Sequence, residues 1–466
     1  MDPLAGPGAR GGELVKTLIK NALLVATCND RREKLSGADL LIDGKAIAAV
    51  GKGLTAQADR TIDASGCVVL PGFVNTHHHL YQTLTRNLPA AANAGLFDWL
   101  KYHYPIWARI TPEAVRISTM VGLGELLLTG CTTAADHHYV FPRGTPGDLL
   151  DFSIHAAKEV GARFHPSRGS MSLGVSKGGL PPDETTQDEA TIMADCERVV
   201  SRWHEPDRFG MCRIVLAPCS PFSVTTELMK ESVEFARKKG LRCHTHLAET
   251  LDEERFCQEV FGRRPVGLME DLGWMADHCW FAHCVHLSED EIALFAARRS
   301  GIAHCPTSNM RLGSGIAPLP KLLRAKVPVG LGVDGSASND SSDMLGELRS
   351  ALYVHRLAEG PAATHVEDVL WVATRGGAEV LGRDDIGQLT AGYAADLSIW
   401  DVGGIGFAGA LHDPLAAVVF CGDSHVAKHV LVNGEHVVAD GRLTRVDERK
   451  VAAEANRIAG ELVRGA

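Results

Sequence analysis

Eight short apolar runs, each followed by a stretch of helical periodicity, constrain this chain more than any other feature of its sequence. They end at Asn75 (VVLPGFVN), Asp136 (TTAAD), Arg168 (ARFHPSR), Pro218 (CRIVLAP), His246 (LRCHTH), His283 (CWFAH), Cys305 (GIAHC) and Asp334 (VPVGLGVD). Stretches such as TPEAVRISTMVGLGELLLTG and TTELMKESVEFARKKG separate them. Eight β-then-α units predict an α/β protein built as a (β/α)8 TIM-type barrel, whose chemistry sits at the carboxyl ends of the strands. A doubly wound open sheet is the competing arrangement.

The two ends of the chain resemble each other. LLIDGKAIAAV places a hairpin turn at Asp43-Gly44, and HVLVNGEHVVADG repeats the pattern at Asn433-Gly434. Both dipeptides tolerate the positive φ angles of two-residue hairpins. With ADLSIWD at 395–401, these pieces predict one small β-sandwich domain built from residues 1–70 and 387–466. The barrel then occupies 71–386. The charge mixture DERKVAAEANRIAGELV near the end reads as a solvated helix.

Composition excludes several classes of function. Of 466 residues, 45% are hydrophobic and 22% charged, which is globular rather than disordered. A net charge of −10 argues against nucleic-acid or anionic-membrane partners. No run of 18 apolar residues suggests a membrane span. The opening MDPLAGPGARGGE has no basic region followed by an apolar core, so it reads as a flexible lead-in rather than a secretory signal. The 12 cysteines are scattered through apolar runs without C-x-x-C spacing, pointing to a reducing, cytoplasmic setting.

Polar residues at strand ends are the candidates for chemistry. In the extended segment Asn75-Thr76-His77-His78-His79, His77 and His79 share one side and His78 faces away. His246 ends the fifth strand, His283 the sixth and Asp334 the eighth. Three imidazoles and a carboxylate suit Zn²⁺ with an open position for water, iron being the alternative ion. Any one of these histidines could be an ordinary hydrogen-bonded core residue. Their recurrence at strand ends of one barrel argues against that for the set.

The segments PGFVNTHHHLYQT, HTHLAET, FAHCVHL, HCPTSNMRLGSGIAP and GLGVDGSASND resemble the nucleobase-deaminase branch of the amidohydrolase superfamily, over about residues 17–440. The resemblance implies metal ligands at His77, His79, His246 and Asp334, and catalytic roles for Glu249, His283 and Asp334. Zinc-activated water would attack the ring, Asp334 would accept its proton, His283 would orient it, and Glu249 would pass a proton to a ring nitrogen. Two-metal relatives use a bridging lysine or glutamate after the fourth strand. Ala217-Pro218-Cys219-Ser220-Pro221 offers neither, so one ion per chain is expected.

Within that branch, NTHHHLYQTLTR and APCSPFSV look most like 8-oxoguanine deaminases, which release ammonia and leave urate. The resemblance assigns substrate contacts to Gln82, Trp107, Arg168 and Cys219: a carboxamide for a base edge, an indole for stacking, a cation for a carbonyl or ring anion, and Cys219 in place of a histidine of nucleoside-type relatives. Guanine and isocytosine share the required amino-amidine edge, and the flat ring of an aminotriazine or chlorotriazine is open to the same metal-activated water, so both remain alternatives. The partner is thus a small nucleobase. Oligomeric state is left open, a homo-oligomer included. Two other motif matches carry nothing: Gly6–Gly11 fits G-x-G-x-x-G without a preceding strand, and Gly174–Gly178 fits G-x-S-x-G without a following helix.

Overall fold

The structure is a computed structural model that describes residues 15–145 and 147–464. The lead-in and its Gly6–Gly11 match lie outside the described residues. Eight parallel strands close into a barrel: β1 (Phe73–Asn75), β2 (Cys131–His138), β3 (Arg163–Ser170), β4 (Val215–Pro218), β5 (Arg242–Leu247), β6 (Cys279–His283), β7 (Gly301–His304) and β8 (Val329–Leu331). Leu331 of β8 pairs with Asn75 of β1 and completes the ring. The barrel, not the open sheet, is the architecture. The sequence pattern places the strand ends well, except that β8 stops at Leu331, three residues before Asp334.

The connections explain why helices begin where they do. Thr111, Asp188, Thr225, Thr250, Ser288 and Asp343 each accept a backbone N–H in the first turn of the helix they precede. Inside the barrel, Val74, Ala135, Val215, Trp280 and Ala303 meet Ala378, Val380, Leu381 and Ile386, which belong to the chain after β8. This apolar layer fills the lower interior and leaves the carboxyl end of the strands for polar groups.

Both chain ends build one nine-stranded sheet. Cys67–Pro71 pairs antiparallel with Leu397–Asp401, Val69 opposite Ile399, and so joins the N-terminal strands to the C-terminal ones. The expected sandwich is thus a single hydrogen-bonded sheet with its own core around Ile19, Leu40, Val69, Leu397, Ile399 and Leu431. The first hairpin turn falls on Gly44-Lys45, one residue later than expected, because Asp43 still pairs with Ala46. The second falls on Asn433-Gly434, with φ of 47° and 76°. The terminal helix Glu448–Arg464 is amphipathic rather than fully solvated, burying Ala455, Ile458 and Leu462.

The two hairpins touch. A Cβ on Gly434 would stand 2.2 Å from the carbonyl oxygen of Gly44, whereas one on Gly37 (φ 64°) would meet nothing within 4 Å. Gly37→Ala should therefore cost only the left-handed backbone penalty, about 1–2 kcal/mol. Gly434→Ala should cost clearly more, because the Gly44 turn must move. Urea unfolding of the two variants side by side measures the difference, and equal losses would mean that the two hairpins are not in contact.

Candidate active site

The carboxyl ends of β1, β5, β6 and β8 converge on one cluster. In the extended segment after β1, His77 and His79 point the same way, while His78 turns outward and its Nε2 meets Ser342 Oγ at 2.9 Å. His77 Nε2 lies 3.2 Å and His79 Nε2 3.3 Å from Asp334 Oδ1, and His79 Nε2 lies 3.0 Å from His246 Nε2. Ligand atoms held tetrahedrally about 2.0–2.1 Å from one ion would be roughly 3.3–3.4 Å apart. The spacing is that of a single small cation.

Hydrogen bonds behind the rings fix which nitrogen faces the cluster. His79 Nδ1–H donates to the carbonyl of His137 (2.7 Å) and His246 Nδ1–H to that of Cys219 (2.6 Å). His244 Nδ1–H donates to the carbonyl of Trp280 (3.0 Å), so its Nε2 accepts from His77 Nδ1–H (2.7 Å). All three inward Nε2 atoms therefore present lone pairs to one another and to the Asp334 oxygen. His77 Nε2 is buried with no hydrogen-bond partner. Burial holds His77 well below its usual range and His246 down to about 3, so protons do not relieve this crowding near neutrality. A divalent cation does, and the donor set fits zinc.

His283 is built differently. Asn309 Nδ2 donates to its Nδ1 (3.0 Å), which leaves the proton on Nε2, 3.6 Å from Glu249 Oε2 and 4.0 Å from Asp334 Oδ2. Asp334 Oδ2 accepts from Ser308 Oγ (2.5 Å) and Ser338 Oγ (3.1 Å), and Oδ1 from the Gly335 N–H (2.7 Å). Burial first, then the charges of Asp334 and Glu253, push the Glu249 carboxyl well above the usual carboxylate range. Glu253 accepts the N–H groups of Ala248 (2.8 Å) and Glu249 (2.9 Å) and so pins the turn that carries Glu249. Ala248, His283 and Asp334 all have positive φ (51°, 71° and 63°), a sparsely populated backbone for residues other than glycine.

Beside the cluster lies a narrow slot of about 40 Å³, bounded by Trp99, Tyr104, Tyr139, Cys219, Phe222 and Gln82 among others. Gln82 Oε1 is buried without a partner, packed where a Cβ on Gly335 would stand 1.8 Å away. The structure thus brings Gln82 and Cys219 to the slot and corrects two expectations. Trp107 does not line it: the indole is buried beneath, donating to Thr85 Oγ1 (3.2 Å) and stacked on His103 at 5.0 Å. Trp99, eight residues earlier on the buried stripe of helix Leu96–Trp107, is the tryptophan at the slot.

Arg168 does not reach it either. Alternation along β3 sends it outward with Phe164, where it pairs with Asp195, donates to Gln187 Oε1 (2.7 Å) and lies 3.7 Å over the Phe141 ring. Sequence reasoning missed Tyr104, Tyr139, His244, Glu253 and Asn309. His244 was legible as the first histidine of H-x-H on β5, and Glu253 as a carboxylate one helical turn beyond Glu249. His244→Ala removes the acceptor that orients His77 and should weaken zinc binding 10–100-fold, measured by competition with a chelator. Unchanged affinity would show that His77 is oriented by other contacts.

Comparisons with known proteins agree with this geometry. Residues 68–437 match the amidohydrolase family model. The chain is 46% identical to an 8-oxoguanine deaminase of Pseudomonas aeruginosa, covering 97% of this chain and all of that protein. It is 35% identical to an isoxanthopterin deaminase from an unknown prokaryotic organism, covering 96% of this chain and 97% of that one. Among solved structures, a zinc complex of an atrazine chlorohydrolase from Arthrobacter aurescens TC1 superposes with a TM-score of 0.92 at 36% identity, over 95% of this chain and all of the other. Motif, barrel and ligand cluster lead to one conclusion: the chain belongs to the amidohydrolase family.

Proposed function

We propose that this enzyme hydrolyses the exocyclic amino group of a free oxidised purine base, converting 8-oxoguanine and water to urate and ammonia. The observation that carries the reading is the arrangement beside the four proposed ligands His77, His79, His246 and Asp334. Glu249, its carboxyl raised well above the usual range by burial, His283 with its Nε2–H 3.6 Å from Glu249 Oε2, and Gln82 all line one narrow slot. A relative that shares 46% of its residues over its whole length and is an 8-oxoguanine deaminase supports the substrate.

A bound zinc ion supplies an acidified water at neutral pH. The side chains do the rest. Glu249, its carboxyl pushed well above the usual range by burial, gives its proton to the ring nitrogen beside the attacked carbon, so the adduct forms without a full negative charge. His283 holds the attacking oxygen through Nε2–H, and Asp334 takes the water proton. Asp334 passes the water proton to the amino group, which leaves as ammonia as the C–N bond breaks, and the proton of the new hydroxyl returns to Glu249 as the carbonyl forms.

The slot favours a thin ring over a sugar-bearing one. Trp99, Tyr104 and Tyr139 supply flat apolar walls, and Gln82 Oε1 accepts from an N–H on the base edge. Arg168 does not contribute, so the margin over guanine rests on neutral hydrogen bonds of about 0.5–1.5 kcal/mol, roughly tenfold at most in kcat/KM. A second reading, a triazine hydrolase, rests on the likeness to the atrazine chlorohydrolase structure. All 12 cysteines are free and 11 are buried, which supports a cytoplasmic, reducing setting. Among the described residues no helix is long and apolar enough to cross a membrane.

The test is ammonia release from 8-oxoguanine, guanine, isocytosine, guanosine and aminotriazines at one pH, with chloride release from chlorotriazines. 8-Oxoguanine should lead, guanine should follow within about tenfold, and nucleosides should fail. A nucleoside or a chlorotriazine as best substrate would overturn the proposal. Glu249→Gln should keep its zinc and lose about 10²–10⁴-fold in kcat. Near-normal turnover in that variant would remove Glu249 from its role.

A further inference from the structure

The opposite end of the barrel carries a second cluster of charge that the deamination does not use. A cavity of about 340 Å³ opens there, lined by Arg213, Arg237, Arg242, His165, His204 and His278, with no aspartate or glutamate among its lining residues. Arg213 stands two residues before β4, Arg242 opens β5, and His278 directly precedes β6. The cluster therefore marks the amino ends of consecutive strands, a strand's length from His246 and His283.

Two neighbouring arginines show what a satisfied site looks like here. Arg163 holds Asp396 through two bonds of 3.0 Å, and Arg383 holds Asp385 at 2.7 and 2.9 Å. Both are closed, buried pairs. Arg213 instead donates only to the backbone carbonyls of Gly382 (3.3 Å), Pro206 (3.1 Å) and Asp207 (3.4 Å). Arg242 donates to the carbonyl of Asp277 (2.8 Å). Arg213 Nε, Arg242 Nε and His278 Nε2 are buried with no partner. His204 Nδ1 accepts the N–H of Ile214 (3.1 Å), so the ring carries its proton on Nε2 as a further donor.

Burial, with the nearby Arg383 and Arg163, lowers Arg213 to about 10 against the opposing pull of Asp385. Carboxylates act on the cluster only from outside the lining: Asp277 Oδ1 lies 3.6 Å from His278 Nδ1, and Asp385 and Glu379 pull on Arg213 and Arg242. Half-buried cations that share one cavity still favour an anion between them. We propose that this cavity binds a phosphate group, held in the forked geometry that arginine presents to tetrahedral oxyanions. Its volume, at the lower end of the 300–1,000 Å³ of small-molecule sites, admits either free phosphate or a small phosphomonoester.

The test uses the full-length, zinc-loaded protein. Thermal unfolding is followed with inorganic phosphate, with ribose 5-phosphate and with sodium chloride at matched ionic strength, and Kd is measured by calorimetry. Either phosphate compound should raise Tm by several degrees where chloride does not, and the tighter of the two identifies the source. Arg242→Met should weaken binding at least tenfold while deamination stays at the wild-type rate. Because Arg242→Met could unfold the barrel end, His204→Glu gives a second check. A built-in carboxylate should raise Tm without phosphate and abolish the phosphate response. No response in the wild type, or an undiminished response in either variant, would overturn the proposal, the latter by placing the anion elsewhere, at the metal for example.

Discussion

The constraint on which the rest of the site depends is the crowding of lone pairs around the buried Asp334 carboxylate. An ionised carboxyl in a protein interior is unfavourable unless paired and hydrogen-bonded. Ser308, Ser338 and the Gly335 N–H satisfy part of it. The imidazoles of His77 and His79 then approach Oδ1 with their acceptor nitrogens, not with protons. Such an arrangement of acceptors fits a cation at its centre. Metal affinity here is thus a property of the second layer of hydrogen bonds, which compel each ring to face inward unprotonated.

That precision requires a rigid backbone, and the fold supplies it at some local cost. Ala248, His283 and Asp334 adopt left-handed conformations at three strand ends. Strained positions of this kind persist where the surroundings over-determine them. Glu253 clamps the first, Asn309 the second, and the Gly335 N–H with two serines the third. Below them, the apolar plug of Trp280, Val380 and Ile386 keeps the strands from shifting. The composite sheet matters in the same way, since Cys67–Pro71 leads through Gly72 into β1 and ties the entry of the barrel to the C-terminal strands.

How much of this was legible in the sequence follows from which physical rule governs each residue. The barrel and the placement of His77, His79, His246 and His283 were legible because alternation and apolar runs obey a period of two. Asp334 was legible as the carboxylate just beyond the eighth run, although β8 itself is only three residues long. Trp107 misled because family position says nothing about depth on a helix: Trp99, His103 and Trp107 share one buried stripe, and only its beginning reaches the slot. Arg168 misled for a simpler reason. Its place at a strand end was right, but its parity on β3 turns it toward Asp195. Asn309 could not be ranked, since its role comes from a contact across turns.

The two ends of the barrel apply one rule with opposite sign. Parallel strands present all their carboxyl ends to one side and their amino ends to the other, so side chains at equivalent positions of neighbouring strands crowd together. At the carboxyl ends the crowded atoms are acceptors: three imidazole nitrogens and a carboxylate oxygen. At the amino ends they are donors: Arg213, Arg242 and His278 with unpartnered N–H groups or ring nitrogens. Where the chain closes such a cluster with its own residues, as at Arg163–Asp396 and Arg383–Asp385, the result is purely structural. Where it does not, the imbalance is itself a binding potential, and its sign states what the missing group must be. By that argument a cation completes the acceptor cluster and an oxyanion the donor cluster, at opposite ends of one barrel.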